Sequence, residues 1–158
     1  MKHSLIIILI ATLTGCISPQ VIKKNEVTCE IIRTGIIGNA ELTKEFSTPG
    51  TTSGFTRNYS SLRVTEETSE IPLKKNVHFG VEYLFNGLAK GEKVAEVVTH
   101  PLIKRENKQA STGYTRNKKP GTSSGYILNR DYELVAGIWK LEYFHNGRYL
   151  CGASFEVK

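Results

Sequence analysis

The sequence predicts an all-β domain, a two-layer sandwich of seven or eight antiparallel strands. Three observations carry the prediction. From Val27 onward apolar residues recur with a period of two rather than 3.6, and turn-forming residues punctuate the chain at near-even intervals. No segment of about eleven residues keeps a capped amphipathic helical pattern; Gly91 to Thr99 comes nearest and is too rich in Val. At 158 residues, with 39% hydrophobic and 23% charged residues, the chain has room for one ordinary core, which excludes wholesale disorder and a multi-domain enzyme.

The first element is an export signal, expected over residues 1–15. Met1-Lys2-His3 is a short basic start and Leu5 to Leu13 is an apolar run, which rises only about 14 Å as a helix and so targets rather than spans a bilayer. Leu13-Thr14-Gly15-Cys16 follows and resembles the lipobox of bacterial lipoproteins, which implies diacylglycerol on Cys16 and cleavage before it. Several acyl chains, at about 0.8 kcal/mol per buried CH₂, would hold the protein permanently. No Asp follows Cys16. On the assumption of a Gram-negative envelope, that favours the periplasmic face of the outer membrane. Residues 16–26 then form a lipidated tether, and 27–158 the sandwich domain.

The expected strands are Val27 to Arg33, Gly38 to Phe46, Ser61 to Ile71, Val77 to Phe85, Lys93 to Thr99, Gly125 to Leu134, Ile138 to His145 and Arg148 to Lys158. Val77, Phe79, Val81, Tyr83 and Phe85 share one face, and that strand ends at the turn dipeptide Asn86-Gly87. Trp139, Leu141 and Tyr143 face one way in the first arm of a hairpin closed by Asn146-Gly147. In its second arm Tyr149, Cys151, Ala153, Phe155 and Val157 match them. Pro72 and Pro101 punctuate two strands, since proline cannot donate to a ladder. Seven or eight such strands indicate an immunoglobulin-like sandwich, with a small up-and-down barrel as the alternative.

Tyr132 to Arg148 (YELVAGIWKLEYFHNGR), the Phe155-Glu156-Val157 ending, and Glu70-Ile71-Pro72 ahead of the Phe79-Gly80 strand resemble a bacterial domain family of unknown function. Its members are secreted or lipid-anchored and immunoglobulin-like. The resemblance runs from about Thr28 to Val157 and implies no activity, cofactor or catalytic residue.

Chemistry is sparse. Cys29 shares a face with Val27 and Ile31, and Cys151 with Ala153 and Phe155, so both thiols point inward from the first and last strands; in an oxidising compartment they form a disulfide, two buried free thiols being the alternative. Gly121-Thr122-Ser123-Ser124-Gly125 matches the G-x-S-x-G elbow, but lysines and Pro120 precede it and a strand follows, where a nucleophile elbow needs strand, turn and helix. His78, His100 and His145 show no metal-ligand spacing, and His78 is placed on the polar face of its strand. Glu66, Glu67 and Glu70, and Asp131 with Glu133, are the carboxylates close enough in sequence to work as acid and base. No metal or cofactor is implied.

One pattern stands above this background. Gly54-Phe55-Thr56-Arg57-Asn58 recurs almost unchanged as Gly113-Tyr114-Thr115-Arg116-Asn117, each block joining turn residues to an aromatic and an arginine. Lys104 to Lys119, expected to be one loop, also concentrates positive charge in a chain of net +6. Phe55, Arg57, Tyr114, Arg116, Lys118 and Lys119 are therefore the candidate binding residues. They suit an envelope protein or an anionic envelope polymer, through attraction that salt screens; nothing suggests nucleic acid. The reading is a non-catalytic binding or accessory module held at the membrane by its lipid, against two alternatives: an envelope hydrolase and a barrel that takes a small ligand in its mouth.

Overall fold

The computed structural model of the chain describes residues 26–38, 40–49, 51–103, 108–115 and 122–158, with the backbone path alone for 108–115. Cys16 and the expected export signal lie outside the described residues. Eleven strands are present among those described: β1 (Thr28–Gly38), β2 (Glu41–Ser47), β3 (Phe55–Ser60), β4 (Arg63–Glu67), β5 (Glu70–Ile71), β6 (His78–Asn86), β7 (Val94–Ile103), β8 (Lys108–Thr115), β9 (Thr122–Ile127), β10 (Gly137–His145) and β11 (Arg148–Val157). A 3-10 turn, Asp131–Glu133, precedes β10.

Two sheets face each other, in the orders β4-β1-β6-β9 and β5-β11-β10-β7-β8, and β2 and β3 form a separate hairpin. Neither sheet closes on itself, so the barrel alternative is excluded. All pairings are antiparallel except the two-residue contact of β5 with β11. The inward faces follow the period of two. Phe79, Val81, Tyr83 and Phe85 from β6 meet Trp139, Leu141 and Tyr143 from β10, with Phe155 and Val157 from β11. Aromatic rings set the spacing: Phe79 lies 5.0 Å from Phe155 and edge-on to Trp139 at 5.9 Å, while Tyr83 lies 4.7 Å from Tyr143. Trp139 also donates its indole N–H to the Val135 carbonyl at 3.1 Å.

The Cys29–Cys151 disulfide joins β1 to β11, and so one sheet to the other, with Cα atoms 5.7 Å apart. At Asn146-Gly147 both residues have positive φ, 50° and 79°, as a type I′ hairpin turn requires. Asn86-Gly87 behaves differently. The chain there crosses from β6 in one sheet to β7 in the other, so that dipeptide closes no hairpin.

Several sequence expectations are corrected. Tyr149 points outward and is 52% exposed, because a bulge between Tyr143 and Phe144 shifts the register by one and turns it against Phe144. β7 runs through Pro101 to Ile103: its pairing with β10 ends at Thr99 and its pairing with β8 is irregular beyond that residue, so the missing N–H leaves no ladder position empty. The expected strand from Gly125 to Leu134 is β9 followed by the 3-10 turn. The basic stretch 104–119 contains a strand, β8, rather than one loop.

His78 is the largest correction. The strand β6 is buried on both faces, not one: His78, Gly80 and Glu82, which alternate with the core residues, are covered as well. Residues 59–64, leading from β3 into β4, pass over this outer face. The Val64 amide donates to Glu82 Oε1 at 2.9 Å, Ser123 Oγ donates to the Leu62 carbonyl at 2.9 Å, and the Tyr59 ring lies 5.2 Å from His78. Gly35, Gly80 and Gly125 are register partners across β1, β6 and β9. A Cβ on Gly80 would stand 2.1 Å from the Ser124 carbonyl and 2.9 Å from Ile37 Cδ1, so the rung must be glycine for Ile37 to lie over it.

Candidate functional site

The hairpin of β2 and β3 saddles one end of the sandwich. Its connecting loop, 48–54, is tightened by the Thr48 amide donating to the Gly54 carbonyl at 2.8 Å, with Gly54 at φ 75°. That geometry turns Thr51 and Thr52 inward, where both are buried. Thr52 Oγ1 lies 2.8 Å from His100 Nε2, and His100 Nδ1 lies 2.8 Å from the Pro101 carbonyl. A carbonyl accepts only, so Nδ1 carries a proton, and in the neutral ring Nε2 accepts from the threonine hydroxyl. His100 in turn stacks 5.0 Å from Trp139. The loop therefore rests on the five-stranded sheet while the far end of β3 rests on the outer face of the other.

Period-two alternation sorts the hairpin's side chains. Phe55, Arg57 and Tyr59 share one face of β3; Tyr59 covers His78, and Arg57 pairs with Glu45 on β2, Nε to Oε2 at 2.6 Å. The guanidinium also sits 6.0 Å from the Phe55 ring. On the opposite face Lys44 lies 4.8 Å over Phe46. Every residue of β2 is exposed, and among the described residues β2 bonds to β3 alone. Leu42, Phe46 and Phe55 are 54%, 41% and 38% exposed. Such a strand presents unpaired N–H and C=O groups together with apolar side chains, the combination that strand addition uses.

Of the candidate binding residues, the structure brings Phe55 and Arg57 together. Tyr114 lies in β8 and pairs with Ala95, five positions from His100 along β7, or about 17 Å from where the hairpin loop touches that strand. Arg116, Lys118 and Lys119 fall outside the described residues.

The candidate carboxylates do not converge. Glu67 pairs with Arg33 at 2.8 Å, Glu70 with Lys158 at 2.9 Å, and Asp131 with Lys75 at 3.0 Å. Glu133 is fully buried and structural: it accepts from the Tyr126 hydroxyl at 2.7 Å and from the Asn129 and Arg130 amides at 3.1 and 2.9 Å, closing the 3-10 turn. Burial, and then the Glu133 carboxylate, push the Tyr126 phenol up from its ordinary value. Ser123 lies mid-strand in β9, with its hydroxyl on the Leu62 carbonyl. His145 Nε2 sits 3.6 Å from Glu92, and among the described residues no three His, Cys, Asp or Glu side chains gather as metal ligands.

Sequence reasoning missed one polar cluster. Glu96 lies between Val94 and Val98 on the inward face of β7, where its carboxylate accepts from Ser124 Oγ of β9. With that proton committed, the hydrogen bond between Tyr143 and Ser124 has the tyrosine hydroxyl as donor. Tyr143, Ser124 and Glu96 thus form a chain between the two sheets. Burial raises the Glu96 carboxyl from its ordinary value, against the lowering effect of the neighbouring Ser124 and Tyr143 hydroxyls. Burial and the Glu96 charge raise the Tyr143 phenol. The alternation Val94-Ala95-Glu96-Val97-Val98 carried the signal that Glu96 faces inward.

Two facing sheets tied by an inter-sheet disulfide over a Trp-centred core define an immunoglobulin-like domain. The fold matches an immunoglobulin-like protein from Pseudomonas aeruginosa with a TM-score of 0.60 and 19% identity, over 86% of this chain and 99% of that one. No curated protein matches. Residues 25–157 match the family described as Domain of unknown function (DUF3859), and the chain belongs to that family.

Proposed function

We propose that the protein is a lipid-anchored binding module of the bacterial envelope, which docks a partner on its β2–β3 hairpin. In this reading residues 1–15 direct export, acylated Cys16 and the tether to residue 26 moor the chain at the periplasmic face of the outer membrane, and 27–158 recognises. The observation that carries it is the hairpin: a seven-residue strand open along one edge, flanked by exposed Leu42, Phe46 and Phe55 and by the buttressed Arg57. The Cys29–Cys151 bond fits an oxidising compartment. The partner is an envelope protein that adds a strand to β2; an anionic polymer would instead draw on Arg57, Arg116, Lys118 and Lys119.

Crosslinking in intact cells tests the proposal. Leu42→Ala/Phe46→Ala changes only exposed side chains and is expected to remove the crosslinked partner while leaving the chain folded and labelled by radioactive palmitate. An unchanged partner set in the variant refutes docking on the hairpin. Absence of palmitate from the wild type refutes the anchor.

A further inference from the structure

His78 lies under the hairpin in a setting that a charged ring would not tolerate. The residue is 6% exposed, its Nδ1 has no hydrogen-bond partner among the described residues, and the Tyr59 ring of β3 covers it at 5.2 Å. The groups around it offer a proton no compensation. From β3 the facing group is the Tyr59 phenol, with Arg57 and Glu45 beyond it paired to each other. From β9 the register partner is the apolar Ile127. On its own strand the ionisable group of the same face is Glu82, four residues along and engaged by the Val64 amide, and ahead of the strand Lys75 is exposed and bound to Asp131. Among the described residues the hairpin above pairs with neither sheet of the sandwich, so it can lift without breaking a ladder in either.

We propose that the β2–β3 hairpin is an acid-released flap, held on the sandwich by the neutral His78 ring beneath Tyr59 and let go when that ring takes up a proton. The proposal stands whether or not the hairpin binds a partner. Burial alone lowers the His78 pKa from 6.5 to about 4. A folded pKa below the open-state value means that closure is complete above about pH 6.5 and is lost progressively as the pH falls toward 4. By that linkage the open population rises about tenfold between pH 7.5 and 5.5, and about thirtyfold by pH 5.0.

Hydrogen exchange of the purified chain, corrected for the intrinsic rate at each pH, reads this directly. Peptides covering 41–60 should lose about tenfold protection at pH 5.5 while β10 and β11 keep theirs. His78→Phe, which retains a ring under Tyr59, should remove the pH dependence, and His145→Gln should leave it in place. An NMR titration of the wild-type imidazole serves if the variant fails to fold. A loss of protection below about threefold, a His78→Phe variant that still responds, or a His78 that titrates near 6.5 each overturns the proposal.

Discussion

Removing the inter-sheet disulfide tests the central structural claim quantitatively. Cys29 and Cys151 are 122 residues apart in sequence, so the bond closes most of the domain into one loop in the unfolded chain. In the chain-entropy description a loop of that length contributes about 5 kcal/mol by restricting the denatured ensemble. For a domain of about 130 residues the entropy of unfolding is about 0.27 kcal/mol/K, so the same change corresponds to a melting temperature lower by about 18 °C. The native contacts around the bond do not depend on it: β1 remains paired with β6, β11 with β10, and the Tyr83–Tyr143 stack still joins the sheets. The Cys29→Ala/Cys151→Ala variant should therefore fold to the same structure with much reduced stability. Urea unfolding of the oxidised wild type, the reduced wild type and the variant measures the difference, and the last two should agree. A loss below about 2 kcal/mol, the low end of what such cross-links contribute, would mean that the denatured chain already holds its ends together.

Two further outcomes follow from the buried polar groups and the glycine rung. Because burial raises the folded pKa of Glu96, the neutral acid is the form the fold favours, and its contribution is present below about pH 4.5 and lost as the pH rises through the raised value. Glu96→Gln, which mimics the neutral acid, should gain stability over wild type at pH 8 and lose that advantage toward pH 4.5; a difference that does not vary with pH, in urea melts, contradicts the assignment. Gly80→Ala forces a methyl group onto the Ser124 carbonyl and Ile37 and should cost on the order of 3 kcal/mol in the same assay, whereas the native stability at this position would show that β9 can shift away.

Much of the sandwich could be read from alternation because each core strand writes its inward face at every second residue. β6, β10 and β11 and their Asn146-Gly147 turn are examples, and the two cysteines lie on the faces their neighbours imply. Alternation fails where a second layer covers the other face. His78, Gly80 and Glu82 look like a solvent-facing set, and the return of 59–64 across β6, with Ile37 of β1 over Gly80, buries them. It fails again at bulges, which move Tyr149 from the core to the surface. β3 and β8 are hidden for a related reason: both are mostly polar, β3 with Phe55 and Tyr59 and β8 with Tyr114 as their aromatics, so they carry little apolar periodicity and become strands through partners supplied by β2 and β7.

The sequence by itself determined which residues form the inner wall of each sheet, because burial of a pleated strand imposes a local period that neighbouring residues record. The tertiary structure alone decided what lies against the outer wall, the hairpin over His78, and which polar groups meet inside, Thr52 with His100 and the chain of Tyr143, Ser124 and Glu96 between the sheets. These contacts join residues tens of positions apart, and no local period encodes the path by which a chain folds back over itself.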